Sequence, residues 1–194
     1  MKTISLTVYS IDDLKFEKAV YDKLIFDEMK ELQAEFDYCG LVEQVFDCFG
    51  FRAMDWNFYP DLDLTSKKVY ISGMWQCHNG SNTVYDFTDH TAFSKLCQEY
   101  DGLRAANALE SSIEFSYYGN CQTPALQFSQ YYVKPQRELA DRFEKFAKNV
   151  SEFLIYEVRT KYKKEVSEEV AHNNLRDLGE VFTITGVIVS SDCP

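Results

Sequence analysis

The feature that most constrains this chain is a long amphipathic segment in its C-terminal half, over residues 135–164. From Leu139 to Phe153 its apolar residues recur at steps of three and four, which places them on one face of an α-helix that Val158 and Tyr162 extend. Pro135 suits the first turn of such a helix. The residues of this face are Leu139, Phe143, Phe146, Val150, Phe153, Val158 and Tyr162. At about 1.5 Å per residue the helix spans about 43 Å. A helix of this length can pack along a whole sheet.

The rest of the pattern predicts one α+β domain that occupies residues 1–194. Alternating apolar and polar residues predict short strands and one long antiparallel hairpin. These segments are 3–9, 56–64, 68–74, 83–87 and 181–189, with the hairpin over 111–133. Further helices are predicted over 11–20, 23–49, 90–100 and 166–177. The expected architecture is a mostly antiparallel sheet packed against the long N-terminal helix and the long helix of the C-terminal half.

The charge of the chain is strongly acidic and unevenly distributed. The net charge is −11, and residues 27–63 contain ten acidic residues against two basic ones, Lys30 and Arg52. A nucleic-acid-binding protein needs a basic surface, so we expect no direct binding to nucleic acid. An acidic surface can instead engage a basic partner. The candidate acidic surface comprises Glu31, Glu35 and Asp37 on the predicted helix 23–49.

The cysteines and the apolar segments predict a protein of the reducing cytoplasm. Six cysteines are scattered without any CxxC pair, which is typical of free thiols. No apolar run approaches the length of a membrane span, and the first residues alternate as in a strand instead of forming the apolar core of a signal peptide. We therefore expect no membrane association.

A polar turn at residues 75–80 is the best candidate for a recognition site. An aromatic strand runs into it, and an indole, an amide, an imidazole and a second amide follow within five positions. Such a group of donors and acceptors around an indole suits a contact surface. The candidate contact residues are Ser72, Gly73, Trp75, Gln76, His78 and Asn79. On this hypothesis a Trp75→Ala protein folds but does not bind its partner.

The same residues offer little for catalysis, metal binding or cofactor binding. Cys77 and His78 are adjacent, so on a strand their side chains point to opposite faces and do not form a nucleophile–base pair. The three histidines lack the spacing of metal ligands, and no glycine-rich phosphate loop is present. We expect neither a metal nor a cofactor, and we do not expect an enzyme.

Several segments together resemble a family of small bacteriophage proteins described as antitoxins of a toxin–antitoxin stability system. The first is residues 8–14 (Val-Tyr-Ser-Ile-Asp-Asp-Leu), at the start of a helix. The second is residues 70–75 (Tyr-Ile-Ser-Gly-Met-Trp) with the turn that follows, and the third is the order of helices and strand over 135–189. This chain departs from the family in the turn, where Cys77, His78 and Asn79 replace Gln, Gly and Asp.

The resemblance implies an accessory protein that acts in the cytoplasm of the infected bacterial host. The leading hypothesis is a protein that binds and neutralises a host toxin or defence component without catalysis. One alternative is an acidic mimic of nucleic acid that blocks a host enzyme which binds DNA or RNA. Another is a binding protein that sequesters a small signalling nucleotide.

Overall fold

The computed structural model describes residues 7–58, 69–75, 85–106, 113–119, 125–128 and 137–189. Helices form the larger part of these residues. In chain order they are a 3₁₀ helix Asp13–Phe16, α1 Lys18–Glu35, α2 Cys39–Cys48, α3 His90–Ala106, α4 Arg137–Glu165 and α5 Glu168–Asp177. The strands are β1 Phe51–Phe58, β2 Val69–Trp75, β3 Ile113–Gly119 and β4 Ala125–Phe128.

The prediction of an α+β domain with a mostly antiparallel sheet packed against two long helices is wrong, because helices dominate the described structure. Helix α4 alone has 29 residues, whereas the strands have eight, seven, seven and four. The strands pair antiparallel in the order β1-β2-β3-β4. In two of the predicted strands, 3–9 and 181–189, the described residues 7–9 and 181–189 contribute only isolated bridges, between Tyr9 and Phe182 and between Phe182 and Ile188. Most of the described core residues lie on helices.

The chain divides into two compact units. The first unit comprises residues 1–37 and 161–194, and the second comprises residues 38–160. The boundaries lie between α1 and α2 and inside α4. The single domain over residues 1–194 stays a prediction.

The long N-terminal helix predicted over 23–49 is also wrong, because it is two helices with a break at residues 36–38. Phe36 has φ −60° and ψ 113°, an extended conformation that ends α1. Its ring packs edge-on against Tyr162, with 5.2 Å between centroids, and the Lys161 ammonium donates a hydrogen bond of 2.7 Å to the carbonyl of Asp37. Contacts distant in sequence therefore hold the break, and residues 36–38 themselves include no Gly or Pro.

The first unit has a small apolar core, and local hydrogen bonds hold the start of the 3₁₀ helix that contributes to it. Before the 3₁₀ helix, the Ser10 hydroxyl accepts a bond from the Asp13 N–H, and the Asp13 carboxylate accepts one from the Ser10 N–H, both at 3.2 Å. This reciprocal capping is typical of a serine followed three positions later by an acidic residue. The buried residues of this core are Ile11, Leu14, Ile25, Ala171, Leu175 and Phe182.

Gly186 gives a testable feature of the first unit. Its φ is +79°, and a Cβ added there would lie 2.9 Å from the Val20 Cγ1. Because valine is β-branched, its side chain cannot easily rotate away from this contact. We expect Gly186→Ala to destabilise the protein by about 1–3 kcal/mol more than Gly179→Ala, because of overpacking. Gly179 is the matched control, since its φ is +67° but nothing lies within 4 Å. Urea unfolding followed by circular dichroism measures both variants, and equal losses of stability would show that the contact is relieved without cost.

The second unit has an aromatic core, as the high content of aromatic residues predicts. Trp75 lies within it, with no exposed surface. Its ring centroid is 5.1 Å from that of Phe143 and 6.4 Å from that of Phe146, both on α4. Its indole N–H donates a hydrogen bond of 2.8 Å to the Phe49 carbonyl. The end of β2 is thereby fixed to α4 and to the turn after α2.

Candidate functional site: a groove between α3 and α4

The start of α3 is held by a buried carboxylate from α4. Glu157 is 3% exposed, and its two oxygens accept hydrogen bonds from the backbone N–H groups of Thr88 at 2.9 Å and Asp89 at 2.7 Å. Asp89 is itself the N-cap of α3, since its side chain accepts a bond of 2.8 Å from the Ala92 N–H. Two carboxylates thus lie at the positive end of the α3 dipole. This fixes α3 against α4 at one end.

The sequence contains a signal for Glu157 that our prediction missed. The residue stands one helical turn after Phe153 and directly before Val158, within the apolar face of α4. A carboxylate in such a position must find hydrogen-bond donors, because burial of an unpaired charge is very unfavourable. Thr88 and Asp89 are residue types that commonly cap helices, but nothing in the local sequence shows that Glu157 completes the cap.

Helices α3 and α4 run antiparallel along an open groove in the second unit. At one end Asp89 contacts Glu157, and at the other the Asn149 amide donates to both oxygens of Glu99, at 2.9 and 2.8 Å. The groove has a volume of about 340 Å³. It is lined by Asp89, Ala92, Lys95, Leu96, Glu99, Asn149, Glu152, Phe153 and Tyr156.

The lining separates into an apolar floor and a polar rim. The floor is Ala92, Leu96 and Phe153, of which Leu96 and Phe153 are almost fully buried, and the ring of Tyr156 lies beside it with 48% of its surface exposed. The rim consists of the charged and amide side chains. Most of the accessible apolar surface of the groove therefore belongs to Ala92 and Tyr156.

Two lysines of α4 lie close to rim carboxylates. The Lys145 Nζ is 3.4 Å from Glu99, and the Lys148 Nζ is 3.9 Å from Glu152. Three of these four side chains are more than half exposed, and Glu99 is the exception at 28%. The groove therefore combines an apolar surface with partly neutralised carboxylates, an arrangement suited to binding a side chain or a small ligand.

The structure corrects the role predicted for Trp75. The hypothesis that it forms an exposed contact is wrong, because its indole has no accessible surface and its N–H is already bonded inside the core. Ser72 and Gly73 lie in β2, where they pair with Ser116 and Phe115 of β3. Gln76, His78 and Asn79 lie outside the described residues, so their predicted role in binding stays a prediction.

The predicted acidic surface is exposed but does not lie on one helix. Glu31 and Glu35 are exposed on α1, and Asp37 is exposed in the break after it. Asp27, Glu31 and Glu35 follow one another at four-residue intervals, about 6 Å apart along the helix axis. The backbone carbonyl of Asp37 is bound by Lys161. The acidic row therefore ends with α1.

A second polar cluster joins three segments of the first unit. The imidazole of His172 on α5 is 3.2 Å from the Tyr21 hydroxyl at Nδ1 and 3.2 Å from the Asp12 carboxylate at Nε2. The Lys15 ammonium is 2.7 Å from the same carboxylate. The hydrogen bond from Lys15, aided by the charge of Lys15 and nearby cations, lowers the pKa of Asp12 below its ordinary value. We interpret the cluster as structural, since its bonds connect α5 to α1 and to the 3₁₀ helix region.

Within the described ranges, no three His, Cys, Asp or Glu side chains converge as the ligands of a metal ion would. Over the same residues, none of the helices combines the length and the apolar character needed to cross a membrane. No protein-family model, curated protein or solved structure matches this chain. The resemblance to phage antitoxin-like proteins therefore stays a prediction.

Proposed function

We propose that this chain is a non-catalytic binding protein that captures and neutralises a protein of a bacterial host, a toxin or a defence factor. The sequence resemblance suggests the host partner. The observation that carries the proposal is the α3–α4 groove, which has a volume of about 340 Å³, an apolar floor and the exposed Tyr156 beside it. Apolar surface of this kind beside an exposed tyrosine is typical of protein-binding sites.

The position of the groove favours binding by a preformed surface. Its floor continues into the aromatic core, since Phe153 contacts Phe87 at 5.3 Å and Phe93 at 6.1 Å between ring centroids. Glu157 fixes the start of α3, and the bond between Asn149 and Glu99 fixes the other end. A surface held in this way loses little conformational freedom on binding, which favours affinity.

The acidic-mimic alternative retains one favourable observation, the exposed row Asp27, Glu31 and Glu35 on α1. Mimicry of nucleic acid requires closely spaced exposed anions, and the four-residue interval supplies them. The nucleotide-sequestering alternative fits the groove poorly, because carboxylates on the rim repel phosphate.

We expect Ala92→Trp to reduce capture of the host partner at least tenfold, because the indole fills the groove. The measurement is quantitative affinity capture from a bacterial host lysate with the purified chain as bait, comparing each captured protein between variants. Ala105→Trp is the matched control, since Ala105 is exposed on α3 and does not line the groove. It should capture as the original chain does.

The same experiment distinguishes the two functions. If the double variant Glu31→Gln with Glu35→Gln no longer captures the partner and Ala92→Trp still captures it, the acidic-mimic alternative is correct and the groove proposal fails. If Ala92→Trp, shown by circular dichroism to be folded, captures every partner in unchanged amount, the groove is not the capture surface.

A further inference from the structure

We propose that the α3–α4 groove receives a cationic side chain, an arginine or lysine that the partner protein carries on a short helical segment. This inference rests on the proposed function and names the chemistry of the partner. The stem of the side chain packs on the floor of the groove, of which Ala92 is the most accessible residue, and its charged end reaches the carboxylates of the rim. Arginine and lysine have this combination of an apolar stem and a charged end.

The charges of the lining favour a cation. Asp89, Glu99 and Glu152 are acidic, and Lys95 is the one basic residue among the groove residues that the structure describes. Glu99 is the most enclosed of the paired carboxylates, with a side chain 28% exposed. A charge that is partly removed from water interacts more strongly with an incoming opposite charge. An anionic ligand would meet three carboxylates at close range.

Lys145 and Lys148 are weakly held and can be displaced. Their side chains are 71% and 51% exposed, and their distances of 3.4 and 3.9 Å to the carboxylates are long for ion pairs. Exposed pairs of this kind contribute little. A partner guanidinium whose stem is buried can form shorter, bidentate bonds with the same carboxylates. The two lysines therefore compete with the partner for the rim.

The shape of the groove suits a short helix. On α3 the lining extends from Asp89 to Glu99, which is about 15 Å at about 1.5 Å per residue, or two to three helical turns. The volume of about 340 Å³ is small, so one or two side chains enter it while the helix that carries them stays outside. The exposed ring of Tyr156 is placed to pack on the entering side chain and to face its charge.

The test is a titration with Nα-acetyl-arginine methylamide, followed by the backbone amide signals of Ala92, Leu96 and Phe153 in heteronuclear NMR. The neutral citrulline analogue, which has the same shape, is the control probe. We expect millimolar binding of the arginine probe, about two- to fivefold tighter than that of citrulline. Equal binding of the two probes, or absence of binding by the arginine probe, would overturn the inference.

Charge variants give a second readout with opposite signs. Glu152→Gln should reduce the affinity for the arginine probe about two- to fivefold. Lys145→Gln with Lys148→Gln should increase this affinity by a similar factor, because competing cations are lost. Glu138→Gln and Arg142→Gln are the matched controls, since these exposed residues pair with each other on α4 and do not line the groove. Weaker binding after the lysine changes would contradict the proposed competition.

The inference and the proposed function fail separately. If the arginine probe does not bind but Ala92→Trp still prevents host-partner capture, the groove is a capture surface for a side chain of different chemistry. If the probe binds as expected but Ala92→Trp leaves capture unchanged, the groove recognises cations and the partner binds elsewhere.

Discussion

Trp75→Ala should destabilise the protein by about 3–5 kcal/mol, the usual loss when a buried Trp or Phe is truncated to alanine. The indole has no exposed surface and packs against Phe143 and Phe146. Its removal also leaves the Phe49 carbonyl without its donor. For a chain of this size the change corresponds to a decrease in Tm of about 6–20 °C. Differential scanning calorimetry measures it directly.

Trp75→Phe separates packing from hydrogen bonding. It keeps most of the ring contacts but removes the N–H that bonds to Phe49, so we expect a loss of about 1–3 kcal/mol. An alanine variant within about 1 kcal/mol of the original protein would show that Trp75 is not a core residue in solution. Any partner binding lost in the alanine variant should return in the phenylalanine variant, since the effect on binding follows from folding of the second unit.

Glu157→Gln should loosen the start of α3. Glutamine keeps the shape of the side chain but has one acceptor oxygen, so its amide N–H₂ faces a backbone N–H that the carboxylate now satisfies. A partly buried donor left without an acceptor costs about 1–3 kcal/mol. We expect hydrogen exchange of the Thr88–Ala92 amides to become about tenfold faster, since each 1.4 kcal/mol is a factor of ten.

Two comparisons make the Glu157 experiment specific. Glu144→Gln makes the same charge change at an exposed position of α4 and should leave this exchange unaltered. Glu157→Ala should accelerate exchange further, because both donors lose their partner. If the glutamine variant exchanges as the original protein does, the carboxylate does not hold α3, and another contact must fix that wall of the groove.

The elements predicted well are those that their own residues determine. Helix α4 was predicted over 135–164 and observed over Arg137–Glu165, because seven apolar residues repeat on one face. The capping pair Ser10 and Asp13 is local in the same way. Gly50, with φ +70°, follows the end of α2, where a glycine of positive φ is common.

The errors came from contacts between residues far apart in the sequence. The break after α1 depends on Tyr162 and Lys161, more than 120 positions from Phe36 and Asp37. The polar turn after Trp75 predicts a contact residue at the surface, but Phe143 and Phe146 cover the indole. The groove was missed because its two walls lie in separate helices, and periodicity within one helix does not show what it faces.

The discontinuous first unit has a consequence for folding of the protein during its synthesis on the ribosome. Residues 1–37 emerge early, but the segment that completes their core begins at residue 161. The second unit is continuous, so it can fold while residues 161–194 are still being added, since folding during synthesis proceeds unit by unit. Burial of Ile11, Leu14 and Ile25 in this core requires that Ala171, Leu175 and Phe182 have been synthesised. Throughout that interval the apolar side chains of residues 1–37 stay exposed to solvent in the nascent chain, and exposed apolar side chains are binding sites for chaperones.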